Sequence, residues 1–382
     1  MQINNQFSSI RGKIGVLMAA VTHIDGDDQY GRILALLRAL PGHAGLLVWC
    51  NSRDVMASLR NWLTERGISP EYRLLNDPLP AQFRCLLVAP QGERALTFYS
   101  HWVRDPFVWK WDEPGSLVLL GSADAENEDS LWAQLHLRAL HFEGRGGVKV
   151  EARAIPVAGG NILFDEDFVM VGAKQFRESL AGSDSADAHR RLLATLNGTG
   201  QMFSRVIEIG AHTEMEPPKL IHIDLYLSLT GMRENGRYVV MVGRCEAVRD
   251  TPSPDPDLAR SVEQMNAYLD AVASQLYARQ FSVRRNPVPV VQKRNAFASY
   301  LCAYNNCLVE VAEDRQPVVW LAKLSHGQES AGYFEQIRRM ENENISLWKD
   351  LGFEVRMVEA DFHTILDDQG SLHCITNEVI RI

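Results

Sequence analysis

The feature that most constrains this chain is a recurring unit: a strand, a tight acidic or glycine-containing turn, a second strand, an amphipathic helix and a further apolar strand. Arg104–Trp111 leads through Asp112, Glu113, Pro114 and Gly115 into Ser116–Gly121, and Asn161–Phe164 leads through Asp165, Glu166 and Asp167 into Phe168–Gly172. His222–Leu229 runs through Arg233, Glu234, Asn235 and Gly236 into Tyr238–Val242, and Tyr300–Val311 runs through Glu313, Asp314, Arg315 and Gln316 into Pro317–Ala322. Two strand-forming runs around such a turn predict a hairpin. Apolar residues at helical spacing then mark Ser130–Phe142, Ala188–Leu196, Leu258–Arg279 and Tyr333–Leu351, each with a packing face and a solvated face. Val148–Ala152, Arg205–Gly210 and Phe353–Val358 are the apolar strands that follow. Ahead of these units the pattern is simpler. Strands at Ile14–Val21 and Gly45–Trp49 alternate with helices at Tyr30–Leu40 and Asp54–Arg66, the latter stopped by Gly67.

Taking Asp105, Gly159, His222, Cys302 and Cys374 as markers of strand starts, the unit repeats at unequal steps, which predicts a structural repeat with irregular loops. Units that cannot bury their own faces stack into a ring or a solenoid, and a doubly wound sheet would not call for so many hairpins. The segments Thr251–Pro256 and Ala181–Asp187 read as surface insertions, and no linker separates domains, so residues 1–382 are expected to form one α/β domain.

Composition narrows the partners. The chain is 46% hydrophobic and 23% charged, as a soluble globular protein is, and it has no apolar run long enough for a membrane helix. Its six cysteines are scattered and no secretory signal precedes them, so reduced thiols in the cytoplasm are the expectation. A net charge of −9 argues against nucleic acid or an anionic membrane as partner and suits a small cation. Neither a cofactor nor a metal is called for, since His222 and Asp224 have no second ligand cluster beside them. The oligomeric state is open, a homo-oligomer included.

The strand starts carry polar residues that a buried strand would normally avoid. Arg104 and Asp105 open the first, where Pro106 holds Asp105 extended; the ordinary reading of Arg104 and Asp105 is a surface ion pair. Gly159 and Gly160, before Asn161, let backbone approach closely, although no dinucleotide-binding fingerprint follows. On a strand, His222 and Asp224 would share one face and Ile221, Ile223 and Leu225 the other. Two ionisable groups on one face of an apolar strand are costly unless a site uses them. Cys374 opens the last strand, and a thiol nucleophile needs an imidazole within reach. On a strand His373 would face away from Cys374, which leaves His222 as the partner.

These residues resemble a known set. Arg104 to Phe107, Gly159 to Asn161, His222 to Asp224 and His373 to Thr376 are similar, in order, to the motifs of the guanidino-group-modifying enzyme superfamily. That superfamily includes arginine, agmatine and peptidylarginine deiminases, dimethylarginine hydrolases and amidinotransferases. The resemblance implies a pentein fold, a pseudo-fivefold α/β propeller. It also implies that Cys374 attacks a guanidinium carbon, that His222 protonates the departing amine and then activates water, and that Asp105 and Asp224 hold the guanidinium. Arg104, Asn161 and Gly160 would line the substrate site. The activity implied is that of a hydrolase giving a ureido product; an amidinotransferase, or a non-catalytic pentein used as a binding module, are the alternatives. One departure stands out: Ala158 occupies the position where many members carry an acidic residue, and Asp165 and Glu166 lie too far along the hairpin to replace it.

Overall fold

The computed structural model describes residues 8–22, 27–75, 77–80, 82–91, 103–104, 107–113, 116–122, 141–142, 151–155, 158–178, 184–197, 203–211, 216–249, 256–292, 299–326, 332–366 and 370–381. It is a mixed α/β structure in which one strand pattern recurs. In four sheets a hairpin of two antiparallel strands is followed by a third strand parallel to the second. These are Phe107–Glu113, Ser116–Ser122 and Glu151–Ile155; Ile162–Asp165, Phe168–Gly172 and Arg205–Ile209; Arg237–Val248 between Leu227–Glu234 and Ser282–Gln292; and Leu308–Glu310, Val318–Ala322 and Glu354–Val358. A fifth sheet repeats the order with residues far apart in sequence. Asn377–Arg381 pairs antiparallel with Ile14–Val21, which runs parallel to Gly45–Cys50, and Cys85–Ala89 and Glu71–Leu74 extend that sheet.

Parallel neighbours need a crossover, and helices supply it where the connection is described. Asp27–Ala39, Ser185–Leu196, Pro256–Ala278 and Phe334–Asp350 each lie between the second and third strands of a unit. The longest, Pro256–Ala278, buries Leu258, Met265, Tyr268, Leu269, Val272 and Leu276, spaced so that one stripe faces its sheet. Ser52 caps Arg53–Glu65 by accepting from the Val55 N–H at 3.2 Å, and Gly67, at φ +78°, ends that helix in a conformation only glycine adopts cheaply. No helix among the described residues is long and apolar enough to cross a membrane.

Three readings of the sequence change. The run Tyr300–Val311 is not one strand: Ser299–Leu301 pairs with the edge of Ser282–Gln292, a turn through Tyr304, Asn305 and Asn306 intervenes, and Leu308–Glu310 starts the next hairpin. Two adjacent asparagines bond readily to local backbone and break a ladder that the apolar residues around them would continue. The third hairpin begins at Leu227 rather than His222, because residues Ile223–Leu225 form a single turn of 3-10 helix. The helix expected over Ser130–Phe142 lies largely outside the described residues, and its last two positions, His141–Phe142, form a short strand.

Candidate active site

The singled-out residues that are described sit on short turns or bends just ahead of the first strands of the repeating pattern. Val103 and Arg104 precede Phe107–Glu113, and Gly159–Asn161 forms a 3-10 turn before Ile162–Asp165. His222 caps the 3-10 turn Ile223–Leu225 before Leu227–Glu234. Asn305 and Asn306 precede Leu308–Glu310, and residues 372–375 turn before Asn377–Arg381.

Hydrogen bonds draw these turns together. The Asn161 side-chain oxygen accepts the Ile223 N–H at 3.2 Å, joining the second turn to the third. Asp224 on the third turn accepts from His373 Nδ1 on the fifth at 2.7 Å. The Asn306 side-chain oxygen on the fourth accepts the N–H groups of Ser371 and Cys374, both at 3.1 Å, and the Asn306 carbonyl accepts from the His373 N–H at 3.3 Å. From the first turn, the Arg104 N–H donates to the Cys374 carbonyl at 3.2 Å, and the Val103 carbonyl accepts from Asn377 Nδ2 at 3.0 Å.

Cys374 is at the meeting point and is 2% exposed. Its Sγ lies 3.7 Å from Asp224 Oδ2 and accepts a hydrogen bond from Asn306 Nδ2 at 3.0 Å. Asp224, His373 and Asn306 are buried with it. Asp224 Oδ1 is buried and has no hydrogen-bond partner among the described residues. A carboxylate oxygen in that position carries a desolvation cost that an incoming N–H donor would relieve.

The geometry corrects the picture of His373. Around Cys374 the chain is coiled, with the Ile375 N–H reaching the Ser371 carbonyl at 3.4 Å and the Thr376 N–H the His373 carbonyl at 3.2 Å. Consecutive side chains of a helical turn diverge by about 100° rather than the 180° of a strand. His373 and Cys374 therefore reach the same carboxylate instead of facing opposite ways. The strand alternation that would put His222 and Asp224 on one face does not hold either, because His222 is extended while Asp224 lies inside the 3-10 turn that follows it. His222 is half-buried at the start of its turn. Burial raises the Glu216 carboxyl above its ordinary value while the charges of Lys174 and His222 pull it down, so Glu216 lies within electrostatic reach of the His222 ring.

The remaining expected site residues divide. Arg104 is not on the surface: it is 2% exposed and its guanidinium pairs with Glu378. Burial pushes the Glu378 carboxyl up, but the charges of Arg104 and Arg381 outweigh it and hold the group at about 2. Asn161 has both ends of its amide engaged, the nitrogen donating to Gln175 Oε1 at 2.9 Å, so it ties turns together. Gly160 is buried in the same turn. Asp105 lies outside the described residues. At Ala158 the backbone N–H donates to Gln175 Oε1 at 3.0 Å. Neither nearby carboxylate is available to stand in there: Asp165 accepts from Ser8, Arg11 and Tyr238, and Glu166 from Arg11 and Arg233.

Sequence reasoning missed Asn306, Glu378 and the part played by His373. The pair Asn305 and Asn306 inside an apolar run was the available signal for the first; nothing local marked Glu378.

No family model and no curated protein matches the chain. Among solved structures, a Porphyromonas gingivalis protein provisionally designated an arginine deiminase is similar with a TM-score of 0.59 at 16% identity, over 97% of this chain and 98% of that one. DDAH from Pseudomonas aeruginosa, solved as a mutant complexed with citrulline, matches at 13% identity over 96% of this chain and 99% of that one, with a TM-score of 0.37. The first likeness establishes a shared fold across nearly the whole chain; the second is too distant to argue from.

Proposed function

We propose that this chain is a cysteine-dependent hydrolase of the deiminase type, acting on a small cationic guanidino substrate. The reading treats the five sheets as blades of a pseudo-fivefold α/β propeller within a single domain, residues 1–382. The observation that carries it is Asp224, whose Oδ2 lies 3.7 Å from the Cys374 sulfur while its buried Oδ1 has no hydrogen-bond partner among the described residues. A thiol next to an orphaned anionic acceptor suits a substrate that brings N–H donors and positive charge on the atom to be attacked. A planar guanidinium supplies both. The four sequence motifs and the shared fold point the same way.

In this scheme the Cys374 thiolate forms a bond to the guanidinium carbon and one C–N bond breaks, with His222 protonating the departing amine. The resulting thiouronium loses its C–S bond when water, deprotonated by His222, adds to the carbon, which returns the thiolate and leaves a ureido product. Splitting one displacement into two is what covalent catalysis contributes. Asp224 orients the cation and supplies a preorganised negative field, with Asp105 as its partner in the reading from the motifs. His373, hydrogen-bonded to Asp224 Oδ2, fixes which oxygen faces the substrate.

Incubation with agmatine, arginine, methylated arginines and arginyl peptides, assayed for ureido product, tests the proposal. Turnover of at least one that disappears in Cys374→Ala is expected. Turnover of none by the folded protein would sink it, and product that forms only with an added amine would convert it to an amidinotransferase.

A further inference from the structure

The side-chain hydrogen bonds of Asn306 run to the Cys374 turn rather than to its own. Its Oδ1 accepts two backbone N–H groups, those of Ser371 and Cys374, and its Nδ2 lies 3.0 Å from Cys374 Sγ. The two N–H donors settle which end of the amide is which. Turning it over would set the NH2 group against both of them, so the group facing sulfur is a donor. Asn306 is itself held in place. The neighbouring Asn305 carbonyl accepts from Ser228 Oγ at 3.0 Å, and the Asn305 side chain exchanges hydrogen bonds with Asn286 at 2.9 and 3.1 Å. Both asparagines are buried, at 3% and 1% exposure, so the donor cannot swing out to water.

A second neighbour of the sulfur works against ionisation. Asp224 Oδ2, at 3.7 Å, favours the neutral thiol, whose proton can point toward it, and repels a thiolate. His373 offsets part of that repulsion by donating to the same oxygen. A donor fixed on the sulfur strengthens when the sulfur becomes anionic, because a charge-assisted hydrogen bond is roughly twice as strong as a neutral one.

We propose that Asn306 is the hydrogen-bond donor that stabilises the Cys374 thiolate, while its oxygen frames the turn that presents the sulfur. This rests on reading Cys374 as the reacting thiol, but its test needs no turnover. The ultraviolet absorbance of the thiolate is titrated with pH in the wild-type protein, with Cys374→Ala as the blank. The same titration is run on Asn306→Asp, which keeps an acceptor for both N–H groups and replaces the donor with an acceptor, and on Asn306→Ser, which shortens the side chain without adding charge.

The Asp variant should titrate at least one pH unit higher, so that below the midpoint its thiolate fraction is at least tenfold smaller at a given pH. The Ser variant should shift in the same direction by less. Near-ultraviolet circular dichroism establishes that each variant is folded. An unchanged midpoint in either folded variant overturns the proposal and leaves Asn306 a turn residue. Failure of both variants to fold overturns it also, since the contacts would then serve stability. If the midpoint moves but no guanidino compound is turned over, the role of Asn306 stands and the substrate reading falls.

Discussion

At the scale of single residues, Asp224 is the most exposed to test. One of its oxygens serves His373 and the Cys374 sulfur, and the other is buried without a partner among the described residues. A protein that keeps such an atom forgoes stability, since an unsatisfied buried acceptor costs about 1–3 kcal/mol and more when charged. If the site uses the charge, activity and stability should respond in opposite directions. Asp224→Asn retains the shape and an acceptor for His373 Nδ1 while removing the charge. It should lower kcat/KM by a factor of about 10² to 10³, the range seen when one preorganised electrostatic contact is lost. Its thermal midpoint should stay level or rise. A fall in both by comparable free energies would mark Asp224 as a structural carboxylate.

Among the elements, the turns ahead of the first strands decide what the site looks like. Strands and helices were legible in the sequence because alternation and helical spacing persist over many residues, as at Ile14–Val21 and Pro256–Ala278. The turns were not. Their conformation depends on bonds to other turns, and no local pattern at His222 or Cys374 shows that a helical turn replaces the first residues of a strand. The residue types were readable while their directions were not, which is why His373 was expected to face away from the sulfur. Gly172 shows how tightly the arrangement is built. A Cβ there would collide with the Asn161 amide, which bridges to the Ile223 N–H. Gly172→Ala should therefore displace Asn161, destabilise the fold by about 1–3 kcal/mol and loosen the turn carrying Asp224. Asn161→Ala should cost a similar amount by orphaning the Ile223 N–H. Because both act through one contact, the double variant should cost clearly less than the two added together, as a denaturant-melt cycle would measure. Full additivity would mean the Gly172 contact and the Asn161 bridge are independent.

For the molecule as a whole, the fifth sheet joins residues that the sequence places farthest apart, and its ion cluster holds the join. Asn377–Arg381 pairs with Ile14–Val21, and Glu378 sits between Arg104, from the turn before the Phe107–Glu113 hairpin, and Arg381, which also donates to the carbonyls of Ser9 and Val309. The Glu378 carboxyl titrates at about 2 in the folded protein against an ordinary value of 4.5. A group whose folded pKa is depressed binds fewer protons when folded than when unfolded at intermediate pH. Its contribution is therefore complete above about 4.5 and is lost as pH falls toward 2. The shift corresponds to a contribution on the order of 3 kcal/mol at neutral pH. Glu378→Gln removes the titration but leaves the buried Arg104 and the half-buried Arg381 without the Glu378 counter-charge, which costs about 3–5 kcal/mol at pH 7. The stability gap between wild type and Glu378→Gln, read from denaturant melts, should be widest at neutral pH and narrow steadily as the pH is lowered from 4.5 to 2. A gap that stays constant across that range would show that the Glu378 carboxyl does not drive the acid sensitivity of the closure between Asn377–Arg381 and Ile14–Val21.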